Sequence, residues 1–311
     1  MQSAATGTGK YEKLIERCQT LAPVPTAIAY PCEPTALASA IDAEQLGLIK
    51  PILVGPAAKI AEIGEAAQLN LHGLEIIDIS DSRAAAATAV SLVREARAEV
   101  LMKGSLHTDE LMGAIVSREG GLRTSRRISH VFIMDVPTYH KVLIVTDAAI
   151  NIAPTLEDKV DICQNAIDLA RSLGVEKPKV AILCAVETVN SKMQATLDAA
   201  ALCKMAERGQ IKGGLLDGPL AFDNAISGEA ARTKGIKSEV AGDPDILLAP
   251  DLESGNILAK NLSFLANADS AGLVLGARVP VILTSRADSV RSRIASCAVA
   301  KLVAHARRAK P

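Results

Sequence analysis

The chain has 311 residues, 49% of them hydrophobic, 22% charged and only 2% aromatic, with no tryptophan. A formal net charge of −1 excludes a global attraction to nucleic acid or membrane, and the scarcity of aromatics excludes base-stacking platforms. The length exceeds a usual single core and implies two domains, built on Ala, Leu, Ile and Val. In chain order, residues 1–9 are small and polar and read as a loose start. Gly7, Gly9 and Lys10 fall short of a phosphate loop, because Ala4 and Tyr11 stand where that motif needs a glycine and a hydroxyl residue. No Gly-x-Gly-x-x-Gly follows any strand, so nothing supports a dinucleotide fold of the usual kind.

From residue 10 the pattern alternates. It predicts helix 10–21, strand 26–30, helix 34–46, strand 51–54, helix 57–66, strand 74–79, helix 82–96 and strand 100–102, which delivers Lys103 to a strand end. This rhythm reads as a parallel sheet covered on both faces. After helix 107–117 comes Glu119-Gly120-Gly121-Leu122-Arg123-Thr124-Ser125-Arg126-Arg127, a local cationic loop whose plain reading is a solvated turn. Strands 130–136 and 141–146 are spaced as an antiparallel hairpin, and the second ends at Asp147.

The alternation resumes with helix 156–173, strand 179–184, helix 192–208, and strand 213–216 ending at Asp217-Gly218. Helix 219–227, strand 246–248, helix 254–266 and strand 272–275 complete it, around a polar, Gly-rich stretch over 228–243. Last, Val281-Ile282-Leu283 forms a buried strand, followed by Thr284-Ser285-Arg286-Ala287-Asp288 and then a helix. A hydroxyl, a guanidinium and a carboxylate therefore stand at the carboxyl end of a strand, where open α/β sheets place ligands and a helix start favours an anion. The plain alternative makes Ser285 or Asp288 a helix cap and Arg286 a surface charge.

The six cysteines are scattered without a Cys-x-x-Cys pair, which argues for reduced thiols and against a disulfide framework or a zinc site. The chain opens without an apolar leader, and no run long enough to span a bilayer occurs, so the expected location is the cytoplasm.

Several separated stretches carry a family resemblance: LMKGSLHTDELMGAIVSREGGLRTSRRISHVFIMDV at 101–136, VTDAAINIAPT at 145–155, DGPLAFDNAIS at 217–227, APDLESGNIL at 249–258 and the TSRADS ending. In that order they resemble the phosphate acetyltransferase and phosphate butyryltransferase family, over essentially the whole chain from about residue 25. The resemblance implies an α/β protein of two α/β domains around a cleft, like isocitrate and isopropylmalate dehydrogenases. Domain I would be 1–133 plus 276–311, and domain II 134–275. It implies transfer of a short acyl group between coenzyme A and inorganic phosphate, with those two substrates as partners, no separate cofactor, no metal, and a homodimer.

On that resemblance Arg286 and Arg123 are the candidate phosphate-binding arginines, because a planar guanidinium grips phosphate bidentately. Ser285 is the candidate donor to the oxyanion or the sulfur. As a covalent nucleophile it would need an adjacent base, and no Gly-x-Ser-x-Gly elbow is present. Acetyl-transferring members carry an aspartate seven positions after the serine, where Ser292 stands here. Asp288 is the nearest carboxylate, as base or as cap, and the SRADS ending places the closer likeness with the butyryl branch. Lys103, Gly104 and Ser105 are candidate substrate contacts, with Ser105 as a helix cap the equal alternative. Arg126 and Arg127 would meet coenzyme A phosphates or face water. Asp147, Asp217 and Asn256 complete the candidate lining. Two rival readings remain: a metal- and NAD-dependent decarboxylating dehydrogenase of the same fold, and a coenzyme A-binding protein without turnover.

Overall fold

The structure, a computed structural model, describes residues 9–284 and 288–309. It divides into two compact units: one takes in 127–270 and the start of the chain through Lys10, the other 11–126 and 271 onward. The units part at 126/127 and 270/271, seven and five residues before the limits expected at 133/134 and 275/276. The C-terminal segment belongs with the first part of the chain.

In that discontinuous unit the elements are α1 (Lys10–Cys18), β1 (Val24–Ala29), α2 (Pro34–Gln45), β2 (Ile49–Gly55), α3 (Ala57–Ala66), β3 (Glu75–Asp78), α4 (Ser82–Arg94), β4 (Val100–Lys103) and α5 (Thr108–Val116). The other unit holds β5 (Ser129–Asp135), β6 (Leu143–Thr146), α6 (Leu156–Ser172), β7 (Lys179–Leu183), α7 (Gln194–Glu207), β8 (Leu215–Leu220), α8 (Phe222–Ile226), α9 (Gly228–Thr233), β9 (Ile246–Leu248) and α10 (Leu252–Phe264). The chain then returns through β10 (Asp269–Leu275), β11 (Val281–Ile282) and α11 (Val290–Arg308).

Strand order in the discontinuous unit is β3-β2-β1-β4-β11-β10. All its pairs are parallel except β10 with β11, which form an antiparallel hairpin. β1 and β4 are buried throughout or nearly so, which explains their continuous apolar runs without alternation. Helix α11 covers this sheet with an Ala-rich face that includes Ala295, Ala298 and Val299. One turn of that face carries Lys301, 1% exposed, whose Nζ donates to the carbonyls of Leu21 (2.9 Å) and Gly47 (2.8 Å). A buried ammonium needs such acceptors, and burial lowers its pKa.

In the other unit the order is β5-β6-β9-β7-β8, with β5 and β6 antiparallel as the hairpin spacing predicts, paired Val131 to Thr146 through Met134 to Leu143. Its core joins Met134, Val145, Ala181, Leu220 and Leu247. Two expectations shift here. The strand expected to stop at Leu216 runs on to Leu220, and helix α9 occupies part of the stretch read as irregular.

Candidate functional site

In the discontinuous unit, Lys103 closes β4, and the partner strand β11 runs parallel to it with Ile282 beside Met102. Both strands therefore release their carboxyl ends at one level. Lys103 is 5% exposed, and its Nζ donates to the carbonyls of Gly104 and Leu106, each at 3.2 Å. Gly104 follows because nothing larger fits. A Cβ there would stand 2.4 Å from the Tyr30 carbonyl oxygen and 2.5 Å from that of Ala29. Ser105 is not a helix cap; His107 holds that position, and its N–H donates to Glu110. The Ser105 hydroxyl instead donates to the Tyr30 carbonyl (2.9 Å) and accepts from the Cys32 N–H (3.1 Å), which fixes the loop after β1.

On the neighbouring strand, Thr284 is buried directly before Ser285 and Arg286, which lie outside the described residues. Its hydroxyl oxygen accepts from Nη1 of Arg293 at 3.2 Å. Arg293 is 3% exposed on α11, and burial lowers its pKa, while the charges of Asp288 and Glu33 act in the opposite direction. Sequence reasoning missed Arg293. The available signal was its place four and eight residues before Cys297 and Lys301, on the buried seam of the helix. Asp288 does not cap α11: Ser289 does, accepting from the Ser292 N–H, and the Ser289 and Ser292 hydroxyls lie 3.1 Å apart. The half-buried Asp288 carboxylate is thereby left to act on Arg293, and Ser292, where an acid was expected, is taken into the cap.

Arg123 is placed by the turn that precedes β11. It forms a bridge with Ala277, and Thr124 Oγ1 donates to the Gly276 carbonyl at 2.6 Å, in the turn between β10 and β11. That turn is at the amino end of β11, and Thr284 is at the carboxyl end. β11 itself is two residues long, so at ~3.3 Å per residue the strand spans about 7 Å between these ends. The Arg123 backbone is thereby fixed beside the residues that lead into β11. Arg126 belongs to the same loop, its N–H donating to Thr124 Oγ1.

The remaining candidates lie in the other unit, where several are occupied by the fold itself. Asp147, 3% exposed, accepts from the N–H groups of Ala149 (2.9 Å), Ile150 (3.0 Å), His130 (3.2 Å) and Asn151 (3.3 Å), and from the Asn151 amide. Asn256 donates to the Ala148 carbonyl at 2.9 Å. Gly255 comes so close that a Cβ would stand 2.2 Å from the Asp147 carbonyl oxygen. Arg127 donates to Asn151 Oδ1 at 2.7 Å and lies 3.5 Å from Asp158. These residues build the loop 147–151; their polar atoms are engaged in holding it. Asp217 sits in mid-strand opposite Ala181, its carboxylate accepting from the Gly218 N–H at 2.9 Å. It was expected just past a strand end, and the extension of β8 moves it inward. Among the described residues no group of three or more His, Cys, Asp and Glu side chains could hold a metal ion, and no helix is long and apolar enough to cross a membrane.

Residues 82–301 match the family described as "Phosphate acetyl/butaryl transferase". The chain belongs to this family. The phosphate acetyltransferase of Rhizobium meliloti is 62% identical over 96% of this chain and 95% of its own length. The phosphate butyryltransferase of Clostridium beijerinckii is 42% identical over 94% and 97%. A branched-chain phosphotransacylase from Enterococcus faecalis V583 superposes with a TM-score of 0.79 at 31% identity, covering 91% of this chain and 99% of that one. As a family member the chain is an acyltransferase, which sets aside the dehydrogenase and the inert-binder readings. A relative with the acetyl name stands at higher identity than the butyryl one, so the SRADS ending does not place this chain nearer the butyryl branch.

Proposed function

We propose that this chain moves an acetyl group between coenzyme A and inorganic phosphate, with both substrates bound together and no acyl-enzyme. The observation that carries the reading is the placement of two buried cations, Lys103 and Arg293, beside the carboxyl ends of adjacent strands β4 and β11, immediately before Ser285 and Arg286. A phosphate oxygen attacks the thioester carbon, the carbonyl becomes an oxyanion, and the carbon–sulfur bond breaks to give acetyl phosphate and the coenzyme A thiolate. Arg286 holds the phosphate, and Ser285 donates to the oxyanion or to the leaving sulfur. Arg293 steadies Thr284 and through it the start of that segment. Asp288, free of the capping role, receives the thiol proton in the reverse direction. The choice of acetyl rests on the name of the 62% identical relative.

The same reading assigns the architecture to the isocitrate and isopropylmalate dehydrogenase type, supported by the return of the C-terminal segment to the first unit. It assigns the protein to the cytoplasm, in keeping with six free thiols. It makes the protein a homodimer, supported by exposed Ile152, Ile257, Phe264 and Leu265 on and around α10. The deciding experiment varies both substrates and weighs the intact protein after exposure to acetyl-CoA alone. Intersecting double-reciprocal lines, no adduct, and a Ser285→Ala variant slowed roughly 10²–10³-fold yet active are expected. Parallel lines with an acetyl adduct would overturn the mechanism.

A further inference from the structure

Arg123 has company. At the amino end of β11, the loop after α5 is fastened to the β10–β11 turn by the Arg278 N–H donating to the Leu122 carbonyl (2.9 Å) and by Thr124 on Gly276 (2.6 Å). This closure brings Arg118 and Arg123 from the loop, Arg278 from the turn and Arg94 from the last turn of α4 around one open recess of about 420 Å³. No carboxylate lines it. Among the described residues none of these four guanidinium groups makes an ion pair. In the same unit Arg83, Arg97, Arg291 and Arg308 all reach a glutamate. Arg307 adds a further positive charge against the outside of the turn, donating to the Arg278 carbonyl at 2.8 Å. The negative end of α4 accounts for Arg94 but not for the other three. Four like charges converging without counter-charges repel one another and lower the stability of the fold unless an anion joins them.

The recess continues into a second, of about 570 Å³, which shares Arg94 and Ser117 and runs between α4 and α5. Ala87, Val90, Gly113 and Ala114 form its small walls; Glu119, the ion-paired Glu110 and Arg83, and Asp109 also line it. Eight residues of helix separate Asp109 from Ser117, about 12 Å. A phosphate chain in the basic recess with an uncharged body along the narrow groove and an amino or hydroxyl group toward Asp109 describes a nucleotide.

We infer that this arginine recess is a second anion site, at the opposite end of β11 from Thr284, which binds a nucleotide carrying two or more phosphates. Two sources share that chemistry, a free nucleoside triphosphate and the nucleotide end of coenzyme A.

The test is calorimetric titration of the full chain at low salt with ATP, with inorganic triphosphate and with coenzyme A, on the wild type and on Arg118→Gln/Arg278→Gln. ATP and triphosphate should bind one per chain, weaken at least tenfold in the variant, and weaken steeply as salt is raised. Coenzyme A affinity unchanged by the variant identifies the free nucleotide as the ligand; an equal loss for coenzyme A identifies its nucleotide end. A silent titration with both ATP and triphosphate, or equal affinities for wild type and variant, overturns the site. If the double variant does not fold, as judged by its melting curve, the single variants Arg118→Gln and Arg278→Gln should each weaken ATP about threefold or more, and unchanged binding in both counts as the same refutation.

Discussion

Replacing Asp147 by Asn separates a scaffold carboxylate from a ligand-binding one. Five N–H donors converge on its two oxygens, and they are not equivalent. Ala149 is exposed and Ile150 half-buried, so their N–H groups recover water when the charge is lost and contribute little. His130 and Asn151 are buried, and their N–H groups have no such recourse. Hydrogen bonds to a charged acceptor contribute about 1.5–3 kcal/mol, and at 3.2 and 3.3 Å these two belong at the low end. Two such losses come to about 3 kcal/mol, before the asparagine NH₂ is turned toward a donor that it cannot satisfy. For a folding unit of this size that lowers Tm by roughly 6–12 °C. Differential scanning calorimetry of Asp147→Asn beside the wild type measures it, with KM for phosphate and for coenzyme A determined well below the melting range. The expected outcome is a large loss of stability with both KM values unchanged. An unaltered melting curve together with a raised KM would refute the reasoning and return Asp147 to the ligand.

Three further outcomes follow from the same geometry. Arg286→Ala should reduce turnover on the order of 10²-fold and raise the KM for phosphate, and Arg286→Lys should restore little because it lacks the planar fork; steady-state kinetics near wild type for the alanine variant would remove Arg286 from the reaction. Gly104→Ala should cost about 1–3 kcal/mol by urea denaturation, since the new methyl meets two backbone carbonyls that cannot both retreat; an unshifted midpoint would contradict the close approach. Burial alone would raise the Asp243 pKa, but hydrogen bonds from Lys179 and Lys141 hold it at about 2, below the usual 3.8. The folded-state value is depressed, so the stability it confers is present above pH 3.8 and lost as pH falls toward about 2. Asp243→Asn should flatten the fall in Tm across that window, and parallel curves for variant and wild type would exclude the linkage.

The alternating helix and strand pattern was legible because both strand-forming runs and Ala-rich helices carry their periodicity locally. The hairpin at β5 and β6 was legible for the same reason, its turn residues standing between two apolar runs. Asp217 was misplaced because Asp-Gly-Pro reads as a turn, whereas pairing with β7 carries β8 through it. The place of Arg123 was illegible for a different reason. A basic loop announces its charge, but which end of a sheet it reaches depends on where α5 stops and on its bridge to Ala277, more than 150 residues away in sequence by rough count. Arg293 went unseen because it sits among alanines and serines, and only packing reveals that its face of α11 is the covered one.

Strand β11 lies inside the first sheet, between β4 and β10, yet it is made from residues 281–282. On the ribosome this order matters. The stretch 127–270 emerges in one piece with all five of its strands, and can complete its own sheet as soon as it is clear of the exit tunnel. The earlier-made segment, although synthesised first, has to wait with the flank of β4 and the acceptors for Lys301 uncovered until residues 271–311 arrive. Nascent chains halted before β11 therefore present an open strand edge, the surface on which a holding chaperone acts and on which self-association begins.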